Sequence, residues 1–340
     1  MPRRVLVTGP SLDEDAVSLL EGKDCSLVFA GAYSEANELD RLIDECSPDA
    51  IISRMGKLSF SAISRAAPNL KVIAKHGVGV DNIDIDTATN LGIPVMVASG
   101  ANAISVAEHA LALILAVTKQ VTKLDSSMRA GQWDKPNFQG NEIQGLTLGL
   151  FGMGAIALAT AKIAKSFDLR VIGFDPFVGS RRFEEAGVLE VGSSGELFSR
   201  SNILSLHAPL TEDTRQVVND ASLALMPKGG YVVNTARGGL IDEDALLRAI
   251  QRGHLAGAGL DTFAEEPIAP THPFLSEPSI VLSPHISGVT AQANRRVAMQ
   301  AARNVLAVLD GESIDQSLVI NSAGLSRERD RVHERQEGLL

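Results

Sequence analysis

Residues 146–167 have the sequence LTLGLFGMGAIALATAKIAKSF, and this stretch decides the fold. An apolar run is followed at once by Gly152-Met153-Gly154-Ala155-Ile156-Ala157, a G-x-G-x-x-A pattern that opens a helix-like segment. The first two glycines allow a tight turn and a close approach to a pyrophosphate, and the helix N-terminus offers unpaired N–H groups to the anion. The stretch therefore predicts a strand, a turn and a helix that together bind a dinucleotide.

A carboxylate follows at the position where such units select their cofactor. The next strand-like run ends in Gly173-Phe174-Asp175, about 20 residues beyond the glycines, where an acid can accept hydrogen bonds from the ribose hydroxyls of NAD. Its charge repels the 2′-phosphate of NADP and so favours NAD over NADP. Arg181 and Arg182 weaken this preference, because a flexible arginine can reach that phosphate. The sequence predicts NAD as the cofactor, with NADP less favoured.

Short apolar runs alternate with helix-like segments along the chain, on both sides of this unit. Such alternation is typical of parallel sheets whose two faces are covered by helices. The segment 105–118 is apolar on nearly every side, which predicts a helix buried all round. The predicted strands are Arg4–Val7, Leu27–Ala30, Ala50–Ser53, Val72–Lys75, Pro94–Val97, Leu146–Phe151, Arg170–Phe174, Ile203–His207, Tyr231–Asn234, Ala256–Asp261, Ile280–Leu282 and Ser317–Ile320.

The length of 340 residues exceeds that of one ordinary domain. We predict the α/β class, with two doubly wound parallel-sheet domains of the Rossmann or flavodoxin type and an active-site cleft between them. The predicted substrate domain is discontinuous and consists of residues 1–101 and 288–325, because the last helix and strand return to the first sheet. Residues 102–287 form the predicted NAD-binding domain, and residues 326–340 form a charged tail.

Composition argues against several classes of function. The formal net charge of −10 argues against a nucleic-acid-binding surface, which needs clustered Lys and Arg. The two cysteines, Cys25 and Cys46, have no partner at metal-ligand spacing, which argues against a zinc site or a disulfide framework and favours a reducing compartment. The longest apolar stretch, 110–117, is far shorter than the roughly 20 residues that span a bilayer. We therefore predict a cytoplasmic protein without a metal, a membrane partner or a nucleic-acid partner.

Three residues of complementary chemistry follow three different predicted strands. Arg237 follows YVVN, Glu266 lies in LDTFAEEP, and His285 lies in LSPHIS. Since ligands bind at the carboxyl edge of open α/β sheets, these side chains can converge. A guanidinium can hold a carboxylate bidentately, a histidine that titrates near neutrality can protonate a carbonyl oxygen as hydride reaches carbon, and a carboxylate can orient that histidine. The set predicts hydride transfer to or from a small 2-keto or 2-hydroxy acid.

With these motifs the sequence resembles the D-isomer-specific 2-hydroxyacid dehydrogenases over roughly residues 50–310, and most of all their phosphoglycerate dehydrogenase-like and hydroxypyruvate reductase-like members. The resemblance implies that Arg237 binds the substrate carboxylate and carbonyl, that His285 is the acid/base, and that Glu266 is its partner. Formate dehydrogenases of this fold usually carry Gln at the position of Glu266, which counts against formate. The matching segments are HGVGVDNID (76–84), NAISVAEHAL (102–111), LGLFGMGAIA (148–157), HAPLTEDT (207–214), NTARGGLIDEDAL (234–246), GLDTFAEEP (259–267) and SPHIS (283–287).

The resemblance also implies the remaining contacts with substrate and cofactor. The backbone N–H groups of Gly77, Val78 and Gly79 are expected to bind the substrate carboxylate, and Asp261 is expected to face the nicotinamide amide. The predicted cofactor contacts, with Ala236 and Arg237 flanking the nicotinamide ring, are Gly152, Met153, Gly154, Ala155, Ile156, Asp175, His207, Ala208, Pro209, Thr214, Thr235, Ala236, Arg237, Asp261, His285, Ser287 and Gly288.

Two cationic residues stand at the ends of predicted strands in the first domain. Arg54 and Lys75 either bind a second acidic group on the substrate, such as a phosphate, or are solvated surface charges. Asn102 is placed to hydrogen-bond to the same group. The predicted substrate contacts are Arg54, Lys75, Gly77, Val78, Gly79, Asn102, Arg237 and His285.

The same residues leave open two alternative functions and the roles of two histidines. An NAD(H)-sensing, corepressor-like binding protein can use this scaffold and retain the same three residues, and a related imino acid is another acceptor for the same site. His109 in the apolar helix and His76 beside Gly77 either pack in the core or reach the active site.

The apolar helix, together with the tendency of the family to pair through nucleotide-binding domains, predicts a homodimer.

Overall fold

The computed structural model describes residues 2–325, and these divide into two compact units. One unit consists of the residues up to Asn102 together with the described residues from Ala291 onward, and the other is Ala103–Thr290. The sequence-based divisions at 101/102 and 287/288 lie one and three residues from these bounds. The predicted charged tail, 326–340, lies outside the described residues.

Strands and helices alternate along both units. The strands are β1 (Arg3–Val7), β2 (Cys25–Phe29), β3 (Ala50–Ser53), β4 (Val72–Lys75), β5 (Val95–Met96), β6 (Thr147–Phe151), β7 (Arg170–Phe174), β8 (Leu189–Glu190), β9 (Ile203–Leu206), β10 (Gly230–Asn234), β11 (Leu255–Leu260) and β12 (Ile280–Leu282). The α-helices are α1 (Glu14–Glu21), α2 (Ala36–Cys46), α3 (Phe60–Ala66), α4 (Ile85–Asn90), α5 (Ala103–Thr118), α6 (Val121–Arg129), α7 (Ala155–Lys165), α8 (Ser180–Ala186), α9 (Ser194–Arg200), α10 (Asp220–Leu225), α11 (Glu243–Gln251) and α12 (Ala291–Leu309).

The first unit is built on one parallel sheet with the strand order β2-β1-β3-β4-β5. Every residue of β3 and β4 is buried, as expected of strands with helices on both faces. Helix α12 covers one face, where Ala298, Ala301 and Val305 pack among the apolar residues of β1, β3 and β4. Helices α2 and α3 cover the other face through residues such as Ile43 and Ile63.

The second unit is built on a parallel sheet with the strand order β12-β11-β10-β9-β6-β7-β8. From β6 the chain winds outward through β7 and β8, and it then returns to β9 and winds the other way. The strand order therefore reverses between β6 and β9, which are hydrogen-bonded neighbours. In doubly wound sheets the crevice beyond the carboxyl ends at this point binds ligands.

Helix α5 lies in the core of the second unit, as its apolar sequence predicts. Leu113, Ile114 and Val117 are buried, and the helix packs against α7, β10 and β11. Strand β11 carries glycines under the helix, because a Cβ at Gly259 would lie 2.8 Å from Cβ of Leu113 and one at Gly257 would lie 2.8 Å from Val117. Within residues 2–325 no single helix is long and apolar enough to cross a membrane, and α5 and α6 meet that test only as a pair bent by 61°.

The predicted strands are confirmed except for the last, and their ends lie within two residues of the observed ones. The short edge strand β8 was not predicted. The strand predicted at Ser317–Ile320 is wrong: Gln316–Leu318 forms a 3₁₀ turn, and a single antiparallel bridge joins Val319 to Met96. Asp315 explains the difference, because its carboxylate accepts hydrogen bonds from the backbone N–H and the hydroxyl of Ser317 and so caps a turn.

Candidate active site

The glycine loop lies between β6 and α7, where the sequence places it. Gly152 has φ +98°, and a Cβ there would come within 2.9 Å of the backbone of His207 and Ala208, so only glycine fits. Gly154 caps α7, no side chain bonds to the first turn of the helix, and a Cβ at Gly154 would meet no atom within 4 Å. An uncapped helix N-terminus beside open space is a site suited to a phosphate.

Asp175 lies at the carboxyl end of β7 and braces the glycine loop. One oxygen of its carboxylate accepts a hydrogen bond from the backbone N–H of Met153 at 2.8 Å, and the other accepts from Phe177 at 3.0 Å. A carboxylate has about four acceptor positions, so Asp175 can still accept hydrogen bonds from ribose hydroxyls. Arg182 Nε donates to the Met153 carbonyl at 2.7 Å, whereas exposed Arg181 forms an ion pair with Glu185.

The segment after β9 lies beside the glycine loop and contains His207. Nε2 of His207 is 2.9 Å from the hydroxyl of Ser205, and burial lowers the pKa of His207 to about 4. The imidazole is therefore neutral at neutral pH, which argues against a role in proton transfer. Thr214 donates to the Pro209 carbonyl at 2.7 Å and so closes the loop that follows.

Arg237 follows β10 on a turn that Asn234 holds in shape. The buried Asn234 side chain accepts from the Ala236 N–H at 2.9 Å and donates to the Arg237 carbonyl at 2.8 Å, while Arg237 Nη1 donates to the Ala236 carbonyl. A Cβ on Gly238 would lie 1.8 Å from the carbonyl carbon of Phe263, so the Arg237 turn packs directly on the segment that leads to Glu266. Asn234 was not among the predicted site residues, although a polar residue at the end of an apolar strand is a usable signal.

Glu266 and His285 form a hydrogen-bonded pair. Oε2 of Glu266 lies 2.7 Å from Nδ1 of His285, and Oε1 accepts from the Phe263 N–H at 2.9 Å. The His285 side chain is 47% exposed, so Nε2 is the ring nitrogen left for a ligand. The structure thus brings together the two residues that the sequence selected from separate loops.

The electrostatics of the pair favour an imidazolium beside a carboxylate. The hydrogen bond to Glu266 raises the pKa of His285, and this outweighs the lowering by burial and by the charge of Arg237. Burial alone would raise the pKa of Glu266, but the hydrogen bonds from His285 and Phe263 and the charges of His285 and Arg237 lower it. His285 therefore holds a proton to a higher pH than a free histidine, and Glu266 stays ionised.

Asp261, predicted to face the nicotinamide amide, is fully buried beneath the loop that carries His285. Its carboxylate accepts from the backbone N–H groups of Ile286 at 3.0 Å and Ser287 at 2.8 Å and from the hydroxyl of Ser283 at 2.6 Å. In this structure Asp261 therefore holds the His285 loop, and its contact with the nicotinamide stays a prediction.

Two buried hydroxyls near the carboxyl ends of β10 and β11 lack a partner within the described residues. These are Thr235 Oγ1 and Thr262 Oγ1. Leaving such a group unpaired costs about 1–3 kcal/mol, and places that tolerate the cost are often completed by a ligand. Thr235 was a predicted cofactor contact, and Thr262 was not predicted. With the open glycine loop and Asp175, these groups fit a bound dinucleotide.

Of the predicted substrate residues in the first unit, 54, 75 and 77–79 are found at the carboxyl ends of β3 and β4, and Asn102 lies between β5 and α5. Lys75 is buried and donates to Asn82 Oδ1 at 2.8 Å, and Arg54 donates to the hydroxyl of Ser11 at 2.9 Å. Burial and the charges of Arg54 and Lys75 lower the pKa of His76 to about 4, so His76 adds no charge at neutral pH. Gly77 has φ +141°, and Oδ1 of Asn102 is buried without a partner among the described residues.

The second unit matches a known family model. The model describes the D-isomer specific 2-hydroxyacid dehydrogenase, NAD binding domain, and it matches residues 111–287. Among solved structures, the NAD⁺-bound 3-phosphoglycerate dehydrogenase of Entamoeba histolytica is similar with a TM-score of 0.79 at 25% identity, covering 95% of this chain and 99% of that one.

Curated relatives extend the match over most of the chain. The glyoxylate reductase of Thermofilum pendens is 42% identical over 78% of this chain and 79% of that protein. The hydroxypyruvate reductase of Thermotoga maritima is 39% identical over 89% of this chain and 97% of that one. The D-3-phosphoglycerate dehydrogenase of Methanocaldococcus jannaschii is 37% identical over 96% of this chain, but the match spans only 61% of that protein.

Proposed function

The chain belongs to the D-isomer specific 2-hydroxyacid dehydrogenase family and is an NAD-dependent oxidoreductase, and from this premise we propose that it reduces a small 2-keto acid to the D-2-hydroxy acid and catalyses the reverse oxidation. The observation that carries the proposal is the 2.7 Å pair between His285 Nδ1 and Glu266 on loops that pack beside Arg237. The substrate we propose is of the glyoxylate, hydroxypyruvate or 3-phosphoglycerate type, as in the relatives.

Each residue of the set has a separate task in the proposed reaction. Arg237 binds the substrate carboxylate and polarises the adjacent carbonyl, because its planar guanidinium presents two parallel N–H donors. When bound, NADH supplies the hydride that the carbonyl carbon receives. His285 gives the proton on Nε2 to the carbonyl oxygen, so carbon gains hydride and oxygen gains a proton. Glu266 keeps Nδ1 protonated and stabilises the imidazolium before transfer.

A panel of keto acids tests the proposal. The protein is mixed with NADH and with glyoxylate, hydroxypyruvate, 3-phosphohydroxypyruvate or pyruvate, and loss of NADH absorbance is followed. We expect turnover of at least one of them. Binding of NADH without consumption on any keto acid would contradict a dehydrogenase and would favour a nucleotide-sensing role.

We also propose that Arg54 and Lys75 bind a second acidic group of the substrate, such as a phosphate. The support is that two cations lie at the carboxyl ends of adjacent strands of the first unit, next to a histidine that is neutral at neutral pH. The role of the backbone of residues 77–79 in binding the carboxylate stays a prediction. If Arg54 and Lys75 have this role, the protein should prefer 3-phosphohydroxypyruvate to hydroxypyruvate. The variant Arg54→Gln should lose this preference.

Replacing Glu266 by Gln is expected to shift the pH dependence of reduction. The raised pKa of His285 keeps the imidazole protonated, and reduction fades only as pH rises through that pKa. A glutamine at this position would lack the charge that raises the pKa, so the decline should move to lower pH, and the decline of the reverse oxidation on the acid side should move with it. The pH profile of kcat measures both limbs.

The neighbouring acid offers a matched control for this prediction. Glu265 is exposed and precedes Glu266 in the same loop, so Glu265→Gln removes the same charge without touching His285. We expect its pH profile to coincide with that of the unaltered protein. Equal profiles for all three proteins would remove Glu266 from the mechanism.

Asp175 is expected to make NADH the better cofactor. The carboxylate beside the glycine loop repels a 2′-phosphate, and Arg181 is engaged with Glu185. Asp175→Asn removes the charge but keeps an oxygen that can accept from Met153 N–H, so the ratio of kcat/KM for NADH over NADPH should fall without loss of fold. Equal efficiency with both cofactors in the unaltered protein would contradict the prediction.

We propose a homodimer in which a second copy covers the segment from α6 to Phe138. The sequence assigned this role to α5, but α5 is packed inside its own unit. Helix α6 instead has no buried residue, and Val121, Met128, Trp133 and Phe138 are between 38% and 69% exposed. Such a run of exposed apolar side chains supports a partner surface. Light scattering at micromolar concentration should give the mass of two chains, and Met128→Lys should lower it; a monomer refutes the dimer.

A cytoplasmic location also belongs to the proposal. Cys25 and Cys46 are both buried and free, which suits a reducing compartment.

A further inference from the structure

The loop that carries His285 is fixed by hydrogen bonds to the end of β11. The backbone N–H of Ser283 donates to Leu260 and that of His285 donates to the Asp261 carbonyl, while the next two N–H groups donate to the Asp261 carboxylate. His285 itself has φ +53°, a left-handed conformation that is uncommon outside glycine. The position of the imidazole therefore depends on the hydrogen bonds that the Asp261 carbonyl and carboxylate accept from this loop.

A buried carboxylate needs compensation, and Asp261 receives it through a chain that starts on α5. The hydroxyl of Ser283 donates to Asp261 Oδ1 at 2.6 Å, and Nε2 of His109 lies 2.8 Å from the same hydroxyl and 3.6 Å from Asp261 Oδ1. A serine hydroxyl has one proton, and here it goes to Asp261. His109 Nε2 must therefore carry a proton and donate it, which fixes the direction of the chain from His109 through Ser283 to Asp261.

We propose that His109 is a positioning residue for His285, acting through Ser283 and Asp261. The proposal rests on the proposed function only in naming His285 as the acid. Loss of these hydrogen bonds leaves the Asp261 carboxylate with fewer donors and allows the Ser283 side chain to rotate away. The loop then loses its fixed geometry, and the hydrogen bond between His285 and Glu266 weakens.

Two variants break this chain of hydrogen bonds, and one preserves it. His109→Leu removes the donor, and Ser283→Ala removes the link with little change in volume. His109→Gln places an amide N–H close to the position of Nε2, so it should restore the donation. Glu266, Arg237 and Asp261, the charged groups that act on His285, are unaltered in all three variants.

The first measurement is the titration of the His285 imidazole by NMR in the protein without substrate, with His285→Asn to assign the signal. We expect the pKa of His285 to fall in His109→Leu and in Ser283→Ala and to recover in His109→Gln. The second measurement is kcat, which should fall by about tenfold to 10²-fold in the two breaking variants with the affinity for NADH unchanged, as expected of a misplaced acid. The double variant should be no worse than the poorer single one, because both cut the same chain.

His254 provides the matched control. It lies in the same unit, is also half-buried, and makes one hydrogen bond through Nε2, to the Leu223 carbonyl at 2.9 Å. His254→Leu should leave both the pKa of His285 and kcat unchanged. An unchanged pKa and kcat in folded His109→Leu or in Ser283→Ala overturns the proposal. If no keto acid is reduced, the proposed function fails, while the titration still decides whether the chain positions His285.

Discussion

Replacement of His285 by Ala is expected to lower kcat for keto-acid reduction by about 10²- to 10⁴-fold, the range for loss of a general acid. We propose the imidazole as the proton donor because Glu266 binds Nδ1 and raises the pKa of His285, which leaves Nε2 as the ring nitrogen for the substrate. The affinity for NADH should change little, since the glycine loop and Asp175 lie at the ends of β6 and β7. His285 follows β12, on the other side of the point between β6 and β9 where the strand order reverses. Steady-state kcat and NADH fluorescence quenching measure the two quantities.

The backbone at His285 calls for a second variant. At φ +53° an alanine is strained, whereas asparagine adopts the left-handed region more readily and keeps the loop in place. His285→Asn should therefore be as inactive as His285→Ala but at least as stable. Near-normal turnover with an unchanged pH profile in both variants would show that His285 is not the acid.

The parts of this site that depend on local sequence could be predicted from it. The apolar run before Gly152 predicts β6, and the glycine spacing predicts the turn, because only glycine fits at φ +98° against a neighbouring backbone. Arg237, Glu266 and His285 could be placed together because parallel strands end at one edge. Each of these inferences needs only the spacing of apolar residues along the sequence and the chemistry of a single residue type.

The parts that depend on long-range side-chain contacts could not be predicted. His109 and Ser283 are 174 positions apart, and nothing in either segment shows that they lie within 2.8 Å. Asn234 and Asp261 act through hydrogen bonds to loops whose conformation the hydrophobic pattern does not specify. The strand predicted at Ser317–Ile320 is wrong for a related reason, since a single capping carboxylate at Asp315 outweighs β propensity in a short segment.

Arg237→Lys is expected to be the other severe change, although it conserves the charge. A planar guanidinium matches both oxygens of a carboxylate, whereas an ammonium on a flexible chain offers point donors. Loss of one charge-assisted hydrogen bond, worth about 1.5–3 kcal/mol, corresponds to a drop of roughly 10- to 200-fold in kcat/KM. The loss should appear both as a higher KM and as a lower kcat, because in the proposed reaction Arg237 both binds the carboxylate and polarises the carbonyl.

The control for this change is Arg248→Lys. Arg248 forms an exposed ion pair with Asp220 in the same unit, and such pairs contribute little, so activity should be unchanged. The methyl ester of the best keto acid gives a second test, because it lacks the charged carboxylate that Arg237 would bind. If Arg237 binds that group, the ester should be a poor substrate for the unaltered protein, and Arg237→Lys should reduce its turnover much less than it reduces turnover of the acid. Equal losses on acid and ester would instead assign Arg237 to the structure of its turn, where Asn234 and Ala236 already bond to it.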